Sequence, residues 1–139
     1  MNVEVYYCTR SGNTEKLAAA ISAEVGAIAN EVGVPLEEKA DVLFLGSSLY
    51  AGKPDPAVRE FVENNADRIG VLAVFGSSAS GSSTYKSLKA LAEEKGITVF
   101  EKFYNCPGHF WFMHKNRPNE HDLDGAASFA RYVLDSITD

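Results

Sequence analysis

Short apolar runs alternate with helical patterns along nearly the whole chain, and this alternation constrains the fold more than any other feature. Three runs are nearly continuous in apolar residues, as strands buried on both faces are: residues 3–8, 42–45 and 71–75. Residues 97–103 are predicted to form the last strand. Residues 27–34 predict at most a weak edge strand. Strands that alternate with helices pair in parallel through right-handed crossovers. The pattern therefore predicts an α/β fold, a doubly wound parallel sheet with helices on both faces.

The helical segments are predicted from apolar spacing and end signals. The first follows the first strand and has apolar residues at Leu17, Ala20, Ile21, Val25 and Ile28. A second begins at Asp55-Pro56, an N-cap followed by proline at the first helical position. A third ends at Lys95-Gly96. The last is expected to bury Leu123, Ala127, Ala130, Leu134 and Ile137.

Composition limits the classes of protein to which the chain can belong. Its 139 residues suit one domain, residues 1–139. The net charge of -6 repels phosphate backbones, which argues against a nucleic-acid binder. Two cysteines are too few for a disulfide scaffold, and the N-terminus does not resemble a signal peptide. No apolar run approaches the ~20 residues of a membrane helix, so we expect a cytoplasmic protein without membrane insertion.

Three loops that leave the carboxyl ends of predicted strands are rich in glycine, serine and threonine: residues 9–14, 47–53 and 76–83. Ligands of doubly wound sheets bind at this edge, at the switch point of the topology. In the first loop, backbone N–H groups and side-chain donors suit a phosphate group. The candidate residues are Thr9, Arg10, Ser11, Gly12, Asn13 and Thr14. The alternative interpretation is a plain helix cap made by Ser11 or Asn13.

Other chemistries for these residues fit the sequence less well. The first loop has neither Gly-Lys-Ser/Thr nor Gly-x-Gly-x-x-Gly, the signatures of nucleotide-triphosphate and dinucleotide sites. Cys8 is not followed six positions later by the arginine of a low-molecular-weight phosphatase, because that position is Thr14. The spacing of His109, His114 and His121 matches no helical metal-ligand pair, so no metal site is predicted.

The loop Thr9-Arg10-Ser11-Gly12-Asn13-Thr14 resembles the Ser/Thr-x-Thr-Gly-x-Thr loop of the flavodoxin family, with Ser11 in place of a threonine. The resemblance implies a flavodoxin-like five-stranded sheet of order 2-1-3-4-5, and FMN as cofactor. It also implies that the second loop packs on the flavin through Ser48, Leu49, Tyr50, Ala51 and Gly52. In this loop Tyr50 is the candidate for stacking on the ring; the alternative is an ordinary surface tyrosine.

The third loop departs from the family pattern, since it lacks the usual acidic residue and a second stacking aromatic. Its candidate contacts to the flavin edge are Ser77, Ser78, Ala79 and Gly81. The resemblance implies an FMN-binding electron-transfer protein with a redox partner protein, either a reductase or an acceptor. An open ring face instead favours a flavin-dependent oxidoreductase acting on a small planar substrate, quinone- or tetrapyrrole-like. A flavin-free interaction module with the same fold is a third alternative. No catalytic residue is assigned.

Overall fold

The structure, a computed structural model, describes residues 1–50, 52–78, 83–108 and 116–138, with Tyr50 described by its backbone only. Its strands are β1 (Val3–Tyr7), β2 (Ala29–Glu31), β3 (Ala40–Ser47), β4 (Leu49–Tyr50), β5 (Lys53–Pro54), β6 (Ile69–Ser78), β7 (Thr98–Val99) and β8 (Tyr104–Pro107). Its helices are α1 (Asn13–Val25), α2 (Pro56–Asn65), α3 (Tyr85–Glu94) and α4 (Glu120–Thr138), with a 3-10 turn at Ala66–Arg68. Among these residues no helix is both long and apolar enough to cross a membrane.

The main sheet is parallel and doubly wound, as the alternating pattern predicts. Its order is β2-β1-β3-β6-β7, and β8 also pairs with β6. The first four positions match the predicted order. β3 is central, because it pairs with β1 on one side and with β6 on the other. The carboxyl ends of β1, β3 and β6 therefore lie side by side at one edge.

The fifth position differs from the prediction of one strand over residues 97–103. Two short strands, β7 and β8, occupy it, and both run parallel to β6. Phe100 still donates its N–H to the Leu72 carbonyl, but the chain then leaves the ladder. Tyr85 of α3 donates its hydroxyl to the Phe100 carbonyl at 2.9 Å and stacks on the Phe103 ring at 4.6 Å. These contacts stabilise the segment that separates the two strands.

Helices cover both faces of the sheet. α1 and α4 pack on one face and α2 and α3 on the other, around two clusters of buried apolar residues. Leu17 and Ile21 of α1 are buried as predicted, whereas Ile28 is 79% exposed because the helix ends at Val25 and Gly26. The buried face of α4 includes Ala126, Phe129, Ala130, Val133 and Leu134, so it overlaps the predicted face only in part.

The start of α4 is fixed by Asp122, whose carboxylate is almost fully buried. Arg117 donates to both carboxylate oxygens, and the Asn119 N–H donates to one of them at 2.8 Å. Asn119 in turn accepts a bond from the Asp122 N–H. Tyr104 donates its hydroxyl to the Asp122 carbonyl at 2.8 Å, which joins β8 to the helix. The Arg117 guanidinium, with the N–H of Asn119, lowers the pKa of the Asp122 carboxyl.

Replacing Asp122 by asparagine is expected to lower the free energy of unfolding by about 2 kcal/mol at pH 7, since hydrogen bonds to a charged group are lost. A lowered pKa in the folded state stabilises the protein above the ordinary carboxyl pKa and ceases to do so as the pH falls through the folded value. Denaturation at several pH values measures both effects. The difference in the free energy of unfolding between wild type and Asp122→Asn should become smaller below about pH 4. Asp124→Asn, at an exposed position of the same helix turn, is the control and should change the free energy of unfolding little at any pH.

Candidate functional site

Three hydroxyl groups meet at the carboxyl edge of the sheet, one from each predicted loop region. Thr14 lies in the first turn of α1, Ser48 follows β3, and Ser77 lies near the end of β6. Their oxygens are separated by 2.9 Å (Thr14 to Ser48), 3.3 Å (Thr14 to Ser77) and 3.3 Å (Ser48 to Ser77). We call these three side chains the hydroxyl cluster. The structure thus brings the three regions into direct contact, at the edge where the topology predicts a ligand.

The N-terminus of α1 opens beside this cluster. Gly12 occupies the N-cap with φ 88°, a conformation that favours glycine, and its N–H donates to Thr9 Oγ1 at 2.9 Å. The N-cap residue makes no side-chain capping bond, and it is Gly12 rather than Ser11 or Asn13, the two residues of the alternative interpretation. Asn13 is already helical and buried, and Ser11 is exposed. The first-turn N–H groups of a helix have no acceptor within it and are suited to an anion.

Arg10 of the first loop forms an ion pair with Asp55. Its Nε and Nη2 both lie 3.0 Å from Asp55 Oδ2. Asp55 is the N-cap of α2, as predicted, and its Oδ1 accepts the Ala57 N–H at 3.0 Å. The Ala57 N–H and the Arg10 guanidinium lower the pKa of the Asp55 carboxyl. The pair therefore connects the first loop to the segment that follows the second.

Cys8, at the end of β1, is an unreactive thiol in this arrangement. Burial and the neighbouring Asp55 carboxylate raise the pKa of Cys8 to about 11. A thiol with such a pKa is protonated near neutral pH and is a poor nucleophile. The same holds for Cys106 of β8, where burial raises the pKa to about 12.

The second loop forms a small antiparallel hairpin in which Leu49 pairs with Pro54 and Tyr50 with Lys53. Gly52 lies in the turn with φ 78°, a conformation that glycine adopts without strain. The side chain of Tyr50 and all of Ala51 lie outside the described residues. Stacking of Tyr50 on a ring system therefore stays a prediction.

The structure describes residues 76–78 and 83 of the third loop. Ser77 and Ser78 are buried at the end of β6, whereas Ala79 and Gly81 lie outside the described residues. Gly108, which follows β8, donates its N–H to the Ser78 carbonyl at 3.2 Å. A Cβ on Gly108 would lie 2.9 Å from Asn13 Nδ2 and 3.3 Å from Ser77 Oγ. The chain after β8 thus approaches the hydroxyl cluster closely.

Sequence reasoning missed two residues of this site, Gly108 and Asp55. The dipeptide Pro107-Gly108 marks a turn, but nothing in it indicates contact with α1. Asp55 was identified only as a helix cap. No group of three potential metal ligands occurs among the described residues; His109 and His114 lie outside them, so the absence of a metal site stays a prediction.

Comparisons with known proteins agree with this architecture. A sequence model of the flavodoxin domain matches residues 4–104. An uncharacterised protein of Methanocaldococcus jannaschii is 28% identical over 144 aligned positions, covering 94% of this chain and 95% of that protein. A flavodoxin from the domain Archaea has a TM-score of 0.83 at 20% identity, with all of both chains covered. A Lactobacillus acidophilus flavoprotein in complex with FMN has a TM-score of 0.60 at 16% identity, covering 76% of this chain and 92% of that one.

Proposed function

The chain belongs to the flavodoxin domain family, and from this premise we propose that it binds FMN and transfers electrons to or from a redox partner protein. The observation that carries the proposal is the hydroxyl cluster beside the N-terminus of α1. It combines neutral donors from three loop regions at the switch point of the sheet, where this topology binds ligands.

The donor set suits a phosphate group on an acidic protein. The chain carries a net charge of -6, so its overall field does not attract anions. Hydroxyls and N–H groups at a helix N-terminus bind a phosphate through local geometry instead. In the proposal, the first-turn N–H groups of α1 and the hydroxyl of Thr14 bind the phosphate group, and Gly12 keeps the approach open because no atom of the described residues lies within 4 Å of where its Cβ would be.

The remaining candidate residues are assigned to the ring system. Bound FMN supplies the electron-transfer chemistry, and the protein binds, orients and partly shields it. We assign Leu49, Tyr50 and Gly52 of the second loop to one side of the ring. Backbone and hydroxyl groups of Ser78 and of the third loop are assigned to its polar edge.

Reconstitution followed by stepwise reduction tests the proposal. We expect one FMN per chain, weaker binding of riboflavin, and an absorbance series that resolves two one-electron steps. Failure to bind FMN would contradict the proposal and favour a flavin-free module. An FMN-loaded protein that reduces a small quinone much faster than free FMN does would identify the alternative, an oxidoreductase acting on a planar substrate.

A further inference from the structure

The ion pair between Arg10 and Asp55 has a geometry that makes it easy to exchange. The two described contacts between this guanidinium and Asp55 go to one carboxylate oxygen, Oδ2, while Oδ1 accepts the Ala57 N–H. The pair therefore lacks the two parallel bonds to separate oxygens of the strongest arginine–carboxylate pairs. The Arg10 side chain is also 58% exposed, and exposed ion pairs of this kind contribute little to stability.

Arg10 belongs to the loop that we assign to the phosphate group, two positions before the N-cap of α1. A phosphate monoester carries up to two negative charges and three acceptor oxygens, whereas Asp55 offers one charge and contacts Arg10 through one oxygen, Oδ2. We propose that Arg10 exchanges partners: Asp55 binds it in the free site, and the phosphate group of the ligand binds it in the complex. This inference rests on the proposed function.

Asp55 then opposes phosphate binding in two ways. Arg10 must leave it before contacting the ligand, and its own negative charge lies beside the loop that receives the anion. Asp55 is thus a residue that sets the affinity for the ligand's phosphate group, although it need not touch the ligand. Because riboflavin has no phosphate group, its binding affinity should not depend on either side chain.

The two side chains can be altered separately without removing the helix cap. Asn accepts the Ala57 N–H about as well as Asp does at an N-cap, so Asp55→Asn removes the charge and keeps the cap. Arg10→Gln removes the cation and retains a polar chain. We expect Asp55→Asn to tighten FMN binding about tenfold and Arg10→Gln to weaken it about tenfold, from Coulomb interactions at partly screened distances. In the Arg10→Gln background, Asp55→Asn should tighten binding much less, because there is no cation to release.

Quenching of flavin fluorescence measures these affinities, with riboflavin as the parallel ligand. Glu60→Gln is the matched control, since it removes one negative charge from an exposed position of the helix that Asp55 caps. The exchange is overturned if Asp55→Asn leaves FMN affinity unchanged or lowers it, or if Glu60→Gln raises FMN affinity equally. It is also overturned if the effects of Asp55→Asn and Arg10→Gln on the free energy of FMN binding are simply additive.

Inorganic phosphate, titrated against the thermal midpoint of each variant, separates this inference from the proposed function. If no variant binds FMN but Asp55→Asn still strengthens the stabilisation by phosphate, the exchange stands and the FMN assignment fails. If wild-type protein binds FMN tightly and neither ligand responds to Asp55→Asn, the exchange fails and the FMN assignment stands. If neither FMN nor inorganic phosphate binds to any of the variants, both the exchange and the FMN assignment are overturned.

Discussion

Replacing Gly76 by alanine is expected to lower the free energy of unfolding by about 3 kcal/mol. Gly76 lies in β6 and pairs with Ser47 of β3. A Cβ at this position would lie closer to the Ser47 carbonyl oxygen than real Cβ atoms come to any neighbour. That oxygen belongs to the backbone of the central strand, which cannot move without disturbing its pairing with β1. Chemical denaturation at neutral pH, followed by circular dichroism, measures the loss.

Gly33→Ala is the matched control for this substitution. Within the part of the chain that the structure describes, no atom lies within 4 Å of the position of its Cβ, and its backbone is not left-handed. We expect its stability to stay within about 0.5 kcal/mol of wild type. If Gly76→Ala were equally harmless, β3 and β6 would have to be further apart than the structure has them.

The parts of the fold that the sequence predicts correctly are those that local patterns determine. Residues 42–45 and 71–75 are apolar without alternation, because strands in the middle of a parallel sheet are buried on both faces. Asp55-Pro56 marks the start of α2 through the chemistry of two adjacent residues. The division of the last sheet position into two strands depends instead on Tyr85, fifteen residues before its partner Phe100. No local pattern contains that contact.

The candidate site, like the fold, could be predicted from the sequence only in part. A parallel sheet places the carboxyl ends of its strands at one edge, so the meeting of the three loop regions follows from topology. The pairing of individual side chains does not follow from it. Arg10 and Asp55 are 45 positions apart, and Thr14 and Ser77 are 63 apart. Gly12 rather than Ser11 or Asn13 became the N-cap because the loop closes through Thr9, a bond that composition alone does not specify.

Thr14→Val is expected to weaken FMN binding by about 10- to 100-fold and to leave riboflavin binding nearly unchanged. The Thr14 side chain is fully buried, and its hydroxyl lies 2.9 Å from Ser48 Oγ and 3.3 Å from Ser77 Oγ. Valine has a similar shape but no hydroxyl. A hydrogen bond to a charged group contributes about 1.5–3 kcal/mol, which corresponds to the expected change in affinity. Fluorescence titration with both flavins measures it.

Thr84→Val is the control, because it makes the same substitution at an equally buried site. The Thr84 hydroxyl has no hydrogen-bond partner among the described residues, so its removal should leave FMN affinity unchanged and raise stability by up to about 1 kcal/mol. Equal losses of FMN and riboflavin affinity in Thr14→Val would contradict a role specific to the phosphate group. They would show instead that the hydroxyl cluster shapes the whole site. A comparable loss of FMN affinity in Thr84→Val would show that replacing a buried threonine weakens binding even where its hydroxyl has no described partner. The loss in Thr14→Val would then not be specific to the hydroxyl cluster.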